Sequence, residues 1–378
     1  MKSIFQLIFL FLLFLAFNAH AQSEVVGNEI ILGQSASFSG SFAEQAASYR
    51  DGALLYFNEV NRRGGIHGRK IRLVSLDDKY KVDLMLANTR KLLDEEKVFA
   101  LALYTWTPMA RAAIPVATGK KVPFFAPYTG ADDVYQSDSR YVYTIRASFH
   151  AEMDTIVRHL ATIGMHRLAL VRYSSKTGEE LRADLLPLLK KYGADLVGEG
   201  TMVINTADTV AAVKQLAPVD AQAIIIGVSG SDAVSFIQRY EATTGKKNAY
   251  YARSLVGTRQ LVKELGDQAF GISITQLVPN PFKQTMPVTQ EYMRLQVEKN
   301  AAAAPDFISL EGFIAARVLC KALERAGPKL TRQGFLDAMS HLGRTDIGGF
   351  EVNFTPERRN GSEYVGLTMI GRNGRIVD

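Results

Sequence analysis

Six short stretches of this 378-residue chain gather small hydroxyl residues, aromatics and glycine. They are "SFSGSFA" (37–43), "YTWTP" (104–108), "YTG" (128–130), "YSSKTG" (173–178), "VSGSD" (228–232) and "RSLVGT" (253–258). Hydroxyls can donate or accept a hydrogen bond and aromatic faces can cover an apolar body, so these residues suit the enclosure of a small molecule. They hold no obvious nucleophile and base pair, which a bond-making site would need. The chain also lacks a G-x-x-x-x-G-K-[ST] phosphate loop, a G-x-G-x-x-G turn after a strand and a G-x-S-x-G nucleophile elbow. His20, His67, His150, His159, His166 and His341 do not pair at helical spacing, so no metal or cofactor site is expected. Asp77-Asp78 lies at a strand end, where neighbouring side chains point to opposite faces, and capping of the next helix is the expected role.

Within this set, Ser39, Phe42, Thr105, Trp106, Thr107, Tyr128, Thr129, Gly130, Tyr173, Thr177, Ser229 and Ser254 are the candidate ligand contacts. Trp106 is the only Trp. Thr107-Pro108 reads as N-cap and first residue of a helix, because proline has no N–H to leave unpaired there. A turn requires neither Thr105 nor Trp106, and this is why both count as candidates.

Each stretch follows a β-rich run. "EIILGQSAS", "KIRLVSL", "KVFALALY" and "VPFFAP" form one series; "RLALVRY", "DLVGEGTMVI", "AIIIGV", "AYYAR" and "GISITQLV" form another. Helical periodicity fills the gaps between runs, with Ser41 and Glu44 spaced as a capping box before the first helix. Alternating strands and helices predict parallel sheets covered on both faces, with ligands outside the carboxyl ends of the strands. "RYVYTIRAS" (140–148) separates the series and is read as a crossover between two lobes.

Residues 1–21 combine Lys2, an apolar run from Ile4 to Phe17 and Ala19-His20-Ala21, the pattern of a cleavable secretory signal. A soluble protein outside the cytoplasm is therefore expected. Cys320 is the sole cysteine, so stability must come from packed cores rather than a disulfide. A net charge of +6 over this length is mild and does not point to nucleic acid.

The ordered set "ILGQSASFSGSFAEQAASYRDGALLYFNEVNRRGGIHGRKIRLVSLDD" (31–78), "KKVPFFAPYTGA" (120–131), "YTIRASFHAE" (143–152), "SLEGFIAARVLCKALERAG" (309–327) and "DIGGFEVNF" (346–354) resembles the periplasmic solute-binding proteins of ABC transporters. The likeness is to the branched-chain amino acid (Leu/Ile/Val-binding) class, with the type I periplasmic binding fold. That resemblance implies an α/β protein of two doubly wound parallel-sheet lobes in a Venus-flytrap arrangement, joined by three crossovers near 144–146, 276–279 and 348–352. Lobe 1 is then 22–145 plus 278–348, and lobe 2 is 146–277 plus 349–378. It further implies a non-enzymatic, monomeric receptor that closes on its ligand and docks to a membrane permease, or else to a sensory receptor. Lobe 1 would grip a carboxylate through Thr107, Tyr128, Thr129 and Gly130.

The sequence departs from the family pattern in lobe 2. Thr177-Gly178 stands where the amino-acid binders have Tyr-Gly, and Ser254, beside Arg253, stands where they have the acidic partner of the ligand ammonium. Without that partner a buried ammonium is costly. An amino-free aliphatic or aromatic carboxylate then fits at least as well as an amino acid.

Overall fold

The computed structural model describes residues 25, 27–204, 206, 208–302 and 304–378. The expected signal segment lies outside them.

Two sheets organise the chain. The first has the order β2-β1-β3-β4-β5, formed by β1 (Glu29–Ala36), β2 (Lys70–Asp77), β3 (Ala100–Ala102), β4 (Phe124–Phe125) and β5 (Val142–Tyr143). All its pairings are parallel. The second has the order β14-β13-β10-β9-β8-β6-β7 and runs from β6 (Arg167–Tyr173) and β7 (Asp195–Met202) through β8 (Ala223–Gly227), β9 (Ala249–Ala252) and β10 (Ser273–Gln276). Two C-terminal strands, β13 (Gly366–Ile370) and β14 (Ile376–Val377), complete it in antiparallel fashion. The mixed α/β class with parallel sheets matches the expectation.

Apolar strands need cover on both faces. Against the first sheet the cover comes from α1 (Ala43–Arg62), α2 (Val82–Asp94), α3 (Thr107–Gly119) and a short α4 (Asp132–Tyr135). Lobe 2 carries α5 (Phe149–Thr162), α6 (Lys176–Tyr192), α7 (Val210–Leu216), α8 (Ser231–Thr244) and α9 (Thr258–Leu265). The chain then returns for α10 (Pro287–Lys299), α11 (Phe307–Ala326) and α12 (Arg332–Ser340). Of these, α11 lies so close on α1 that a Cβ at Gly52 would sit 1.8 Å from the Ser309 carbonyl oxygen. Any side chain there would force the helices apart. Cys320, on α11, is buried.

The third connection contains a hairpin of β11 (Gly343–Asp346) and β12 (Glu351–Phe354), which form a two-stranded sheet of their own among the described residues. Residues 348–352 therefore lie in and beside the hairpin turn. The backbone that runs along the first crossover is Arg359–Gly361, which donates to and accepts from Thr144.

Three local expectations are corrected. Helix α1 starts after Phe42 with no side-chain cap; Glu44 instead pairs with Arg259 at 3.1 Å, a contact across the lobes that local spacing cannot show. Thr107 is the first residue of α3 rather than its cap, because its Oγ1 is bonded to Thr129 Oγ1 at 2.7 Å. Asp77 and Asp78 do not cap α2, whose N-cap is Lys81. They hold the loop after β1: Asp77 Oδ1 accepts from the Phe38 N–H (2.9 Å), and Asp78 accepts from Ser37 Oγ (2.7 Å) and Ser35 Oγ (3.1 Å).

Candidate functional site

A cavity of about 430 Å³ lies between the lobes at the carboxyl ends of the strands. Its first wall is aromatic. Phe42, carried by the loop that Asp77 and Asp78 fasten, has its ring centroid 4.4 Å from Trp106 and 4.9 Å from Tyr80. Offset aromatic contacts of this kind add to the burial energy and hold the rings in place. Trp106 has φ 76° and ψ 144°, a region that tryptophan enters only at a cost of about 1–3 kcal/mol. Bonds to both neighbours hold it there: its N–H donates to the Tyr128 carbonyl (3.2 Å), and its carbonyl accepts from the Ala110 N–H (3.0 Å). Strain maintained in this way turns the sole Trp toward the cavity and starts α3, whose first turn offers N–H groups with no helical partner.

The second wall comes from lobe 2. Tyr173 at the end of β6 presents its ring, while its hydroxyl lies 3.0 Å from Asp232 Oδ2 and accepts from the Ser229 N–H at 3.0 Å. Burial raises that phenol well above its ordinary pKa. Thr177 and Ser229 also line the cavity.

Arg253 lies on the same wall, with its guanidinium carbon 4.2 Å from the Phe149 ring centroid. Among the described residues its side chain has no hydrogen bond and no ion pair. Burial lowers its pKa, against the nearby carboxylates Glu152 and Asp184. Glu152 Oε2 is already engaged by the Ser254 N–H (2.7 Å) and Thr275 Oγ1 (2.5 Å), and Asp184 Oδ1 by His150 Nδ1 (2.6 Å). The hydrogen bond to Asp184 raises His150. What remains at Arg253 is a partly desolvated cation with donors free for an anion.

Of the candidate residues, Phe42, Trp106, Thr107, Tyr173, Thr177 and Ser229 line the cavity, and the others stand behind or beside it. Thr105 is fully buried and accepts from the Ser37 N–H at 3.3 Å. Thr129 supports Thr107 from beneath. Tyr128 is buried under the Arg146 guanidinium, 4.3 Å from its ring centroid. Gly130 has backbone where a side chain would be, its virtual Cβ falling 2.8 Å from the Ala147 carbonyl oxygen. Ser254 accepts from Arg146 Nη2 at 2.6 Å, and Ser39 is half-buried away from the cavity.

Sequence reasoning passed over Tyr80, Arg111, Phe149, His150 and Arg253, all of which line the cavity. The signal for Arg253 was present, since it adjoins the position where an expected acid is missing. At the mouth, Arg111 of α3 reaches Asp133 of α4 (2.6 Å) and crosses to Glu180 of α6 (3.0 Å). Further contacts between the lobes join Gln45 to Gln260 (2.8 Å) and the Ser231 N–H to the Ser41 carbonyl (3.3 Å). The lobes are thus closed on each other.

Residues 29–375 match the model of the periplasmic binding protein family. The chain belongs to this family. It is 24% identical over 369 residues to the Leu/Ile/Val-binding protein homolog 7 of Brucella abortus strain 2308, covering 92% of this chain and 90% of the relative. A substrate-binding periplasmic protein from Ralstonia solanacearum superposes with a TM-score of 0.87 at 33% identity, over 92% of this chain and 99% of the other. A possible leucine/isoleucine/valine-binding protein from Rhodopirellula baltica SH 1 gives 0.86 at 27% identity, over 93% and 96%. The relatives are solute-binding proteins. Among the described residues of this member no helix is long and apolar enough to cross a membrane.

Proposed function

We propose that this protein is the periplasmic receptor of an ABC importer and that it captures a small carboxylate lacking an α-amino group. The observation carrying this reading is Arg253: a cation in the cleft, stacked on Phe149 and without a carboxylate partner among the described residues. The adjacent residue is Ser254, so the position expected to balance a ligand ammonium supplies no charge. The carboxylate sits between Arg253 and the start of α3, where Thr107 lines the cavity. Its body lies among Phe42, Tyr80, Trp106 and Tyr173. Contacts to both lobes favour the closed form, which a permease can then select.

A thermal-shift panel of benzoate, phenylacetate, hexanoate, leucine and valine tests the assignment, because a bound ligand raises the melting temperature by mass action. Shifts with the amino-free acids, lost in Arg253→Ala, are expected. Stabilisation by leucine or valine alone would overturn the preference for an amino-free ligand, and shifts indifferent to Arg253→Ala would overturn the site.

A further inference from the structure

Behind the cleft is a charged cluster that does not line the cavity. Arg146, on the first crossover, is fully buried and its Nε lies 3.4 Å from Glu311 Oε1 of α11. It also donates to Ser254 in lobe 2 and covers the Tyr128 ring in lobe 1. Glu152 holds Ser254 from the other side and reaches Thr275 near the end of β10, just before the second crossover. Thr144, two residues before Arg146, is bridged to Asn360 of the third connection. Side chains thus tie both lobes and the first two connections to the residue beside Arg253, and a backbone bridge adds the third.

We propose that Arg146 and Glu311 form a buried strut between the lobes, and that gain or loss of a proton on Glu311 sets how readily the lobes close. This rests on the hinge-closing reading given above. The groups facing Glu311 are Arg146 on the crossover, Glu152 on α5, Asp306 at the start of α11, Tyr49 on α1 and Tyr128 after β4. Burial raises Glu311 from 4.5 to about 7; Arg146 opposes this, while Glu152 and Asp306 add to it. Arg146 does not prevail because, among the described residues, its Nε makes no hydrogen bond and neither does Glu311 Oε1, so the pair lacks the directed contact that would offset desolvation.

Opening the lobes admits water to the cluster and returns Glu311 toward the ordinary carboxylate range. The closed form then holds the proton more tightly than the open form. Closure takes up a proton between about pH 5 and pH 7, weakens by up to about tenfold per pH unit as the pH rises through that window, and levels off above it.

The test is small-angle scattering of the ligand-free protein from pH 5 to pH 8.5, in wild type and Glu311→Gln, with a parallel arm containing millimolar benzoate. The ligand-free wild-type radius of gyration should rise between pH 5 and 7. Glu311→Gln, which mimics the protonated state at nearly constant volume, should stay compact throughout. Equal profiles in the two proteins would assign the titration elsewhere and overturn the strut. A pH-invariant wild-type radius that still contracts with benzoate would overturn the strut and leave the receptor reading standing. Invariance in both arms would remove the closure on which both depend.

Discussion

The back and the mouth of the cleft both join the lobes by ion pairs, yet burial makes them different devices. At the back, Arg146 and Glu311 have side chains 0% and 5% exposed. At the mouth, Arg111 is 26% exposed, Asp133 54% and Glu180 39%. The mouth has the better geometry, with Arg111 Nη1 donating to both Glu180 oxygens at 3.0 Å, but water screens it. The back has poor geometry and little screening. A charge there costs several kcal/mol unless balanced, so protons rather than salt should govern it.

Breaking the back pair from one side should give the largest effect. Arg146→Ala leaves the buried Glu311 carboxylate without the cation that faces it and is expected to lower stability by about 3–5 kcal/mol in urea unfolding above pH 7. The double change Arg146→Met with Glu311→Leu should recover most of this loss. Loss without recovery would mean that the pair contributes through shape rather than charge.

Between the two regions lies Arg253. Its replacement by Ala should weaken carboxylate binding by about 2–5 kcal/mol in calorimetry while leaving urea stability nearly unchanged, since the side chain has no ion pair among the described residues to lose. At the mouth, Arg111→Ala should cost less than about 1 kcal/mol at low salt, and the difference from wild type should vanish in 1 M salt, where charges are screened within about 3 Å.

The smallest effect concerns His150, half exposed beside Asp184. Its folded pKa is raised above 6.5, so its contribution is complete below that value and is lost as the pH rises through the folded pKa. His150→Gln should flatten a sub-kcal/mol decline in stability above pH 6.5, read by thermal melting at intervals of pH. A decline that persists in the variant would assign it to another group.

Much of the fold was legible because its signals are local. "RLALVRY" became β6 residue for residue, since a short, mostly apolar run of strand length bounded by polar turns fits a covered strand. "KVFALALY" shortened to a three-residue strand, because Lys97 and Leu103 turn to positive φ, and no residue type there announces it. The capping readings failed where a distant partner took the side chain, as Arg259 took Glu44 and Thr129 took Thr107.

The sequence by itself determined the alternation of strands and helices and the polar and aromatic character of the strand ends, because each rests on residue type and short spacing; the missing acid at Ser254 followed only from the resemblance to the amino-acid binders. Only the tertiary structure decided that Arg146 meets Ser254 across 108 residues, that Tyr80 and Phe149 share a cavity with Trp106, and that Thr105 and Tyr128 stand behind the wall. Those outcomes depend on how two lobes face each other, and the depth of burial they create decides whether a given charge is screened by water or held by its neighbours.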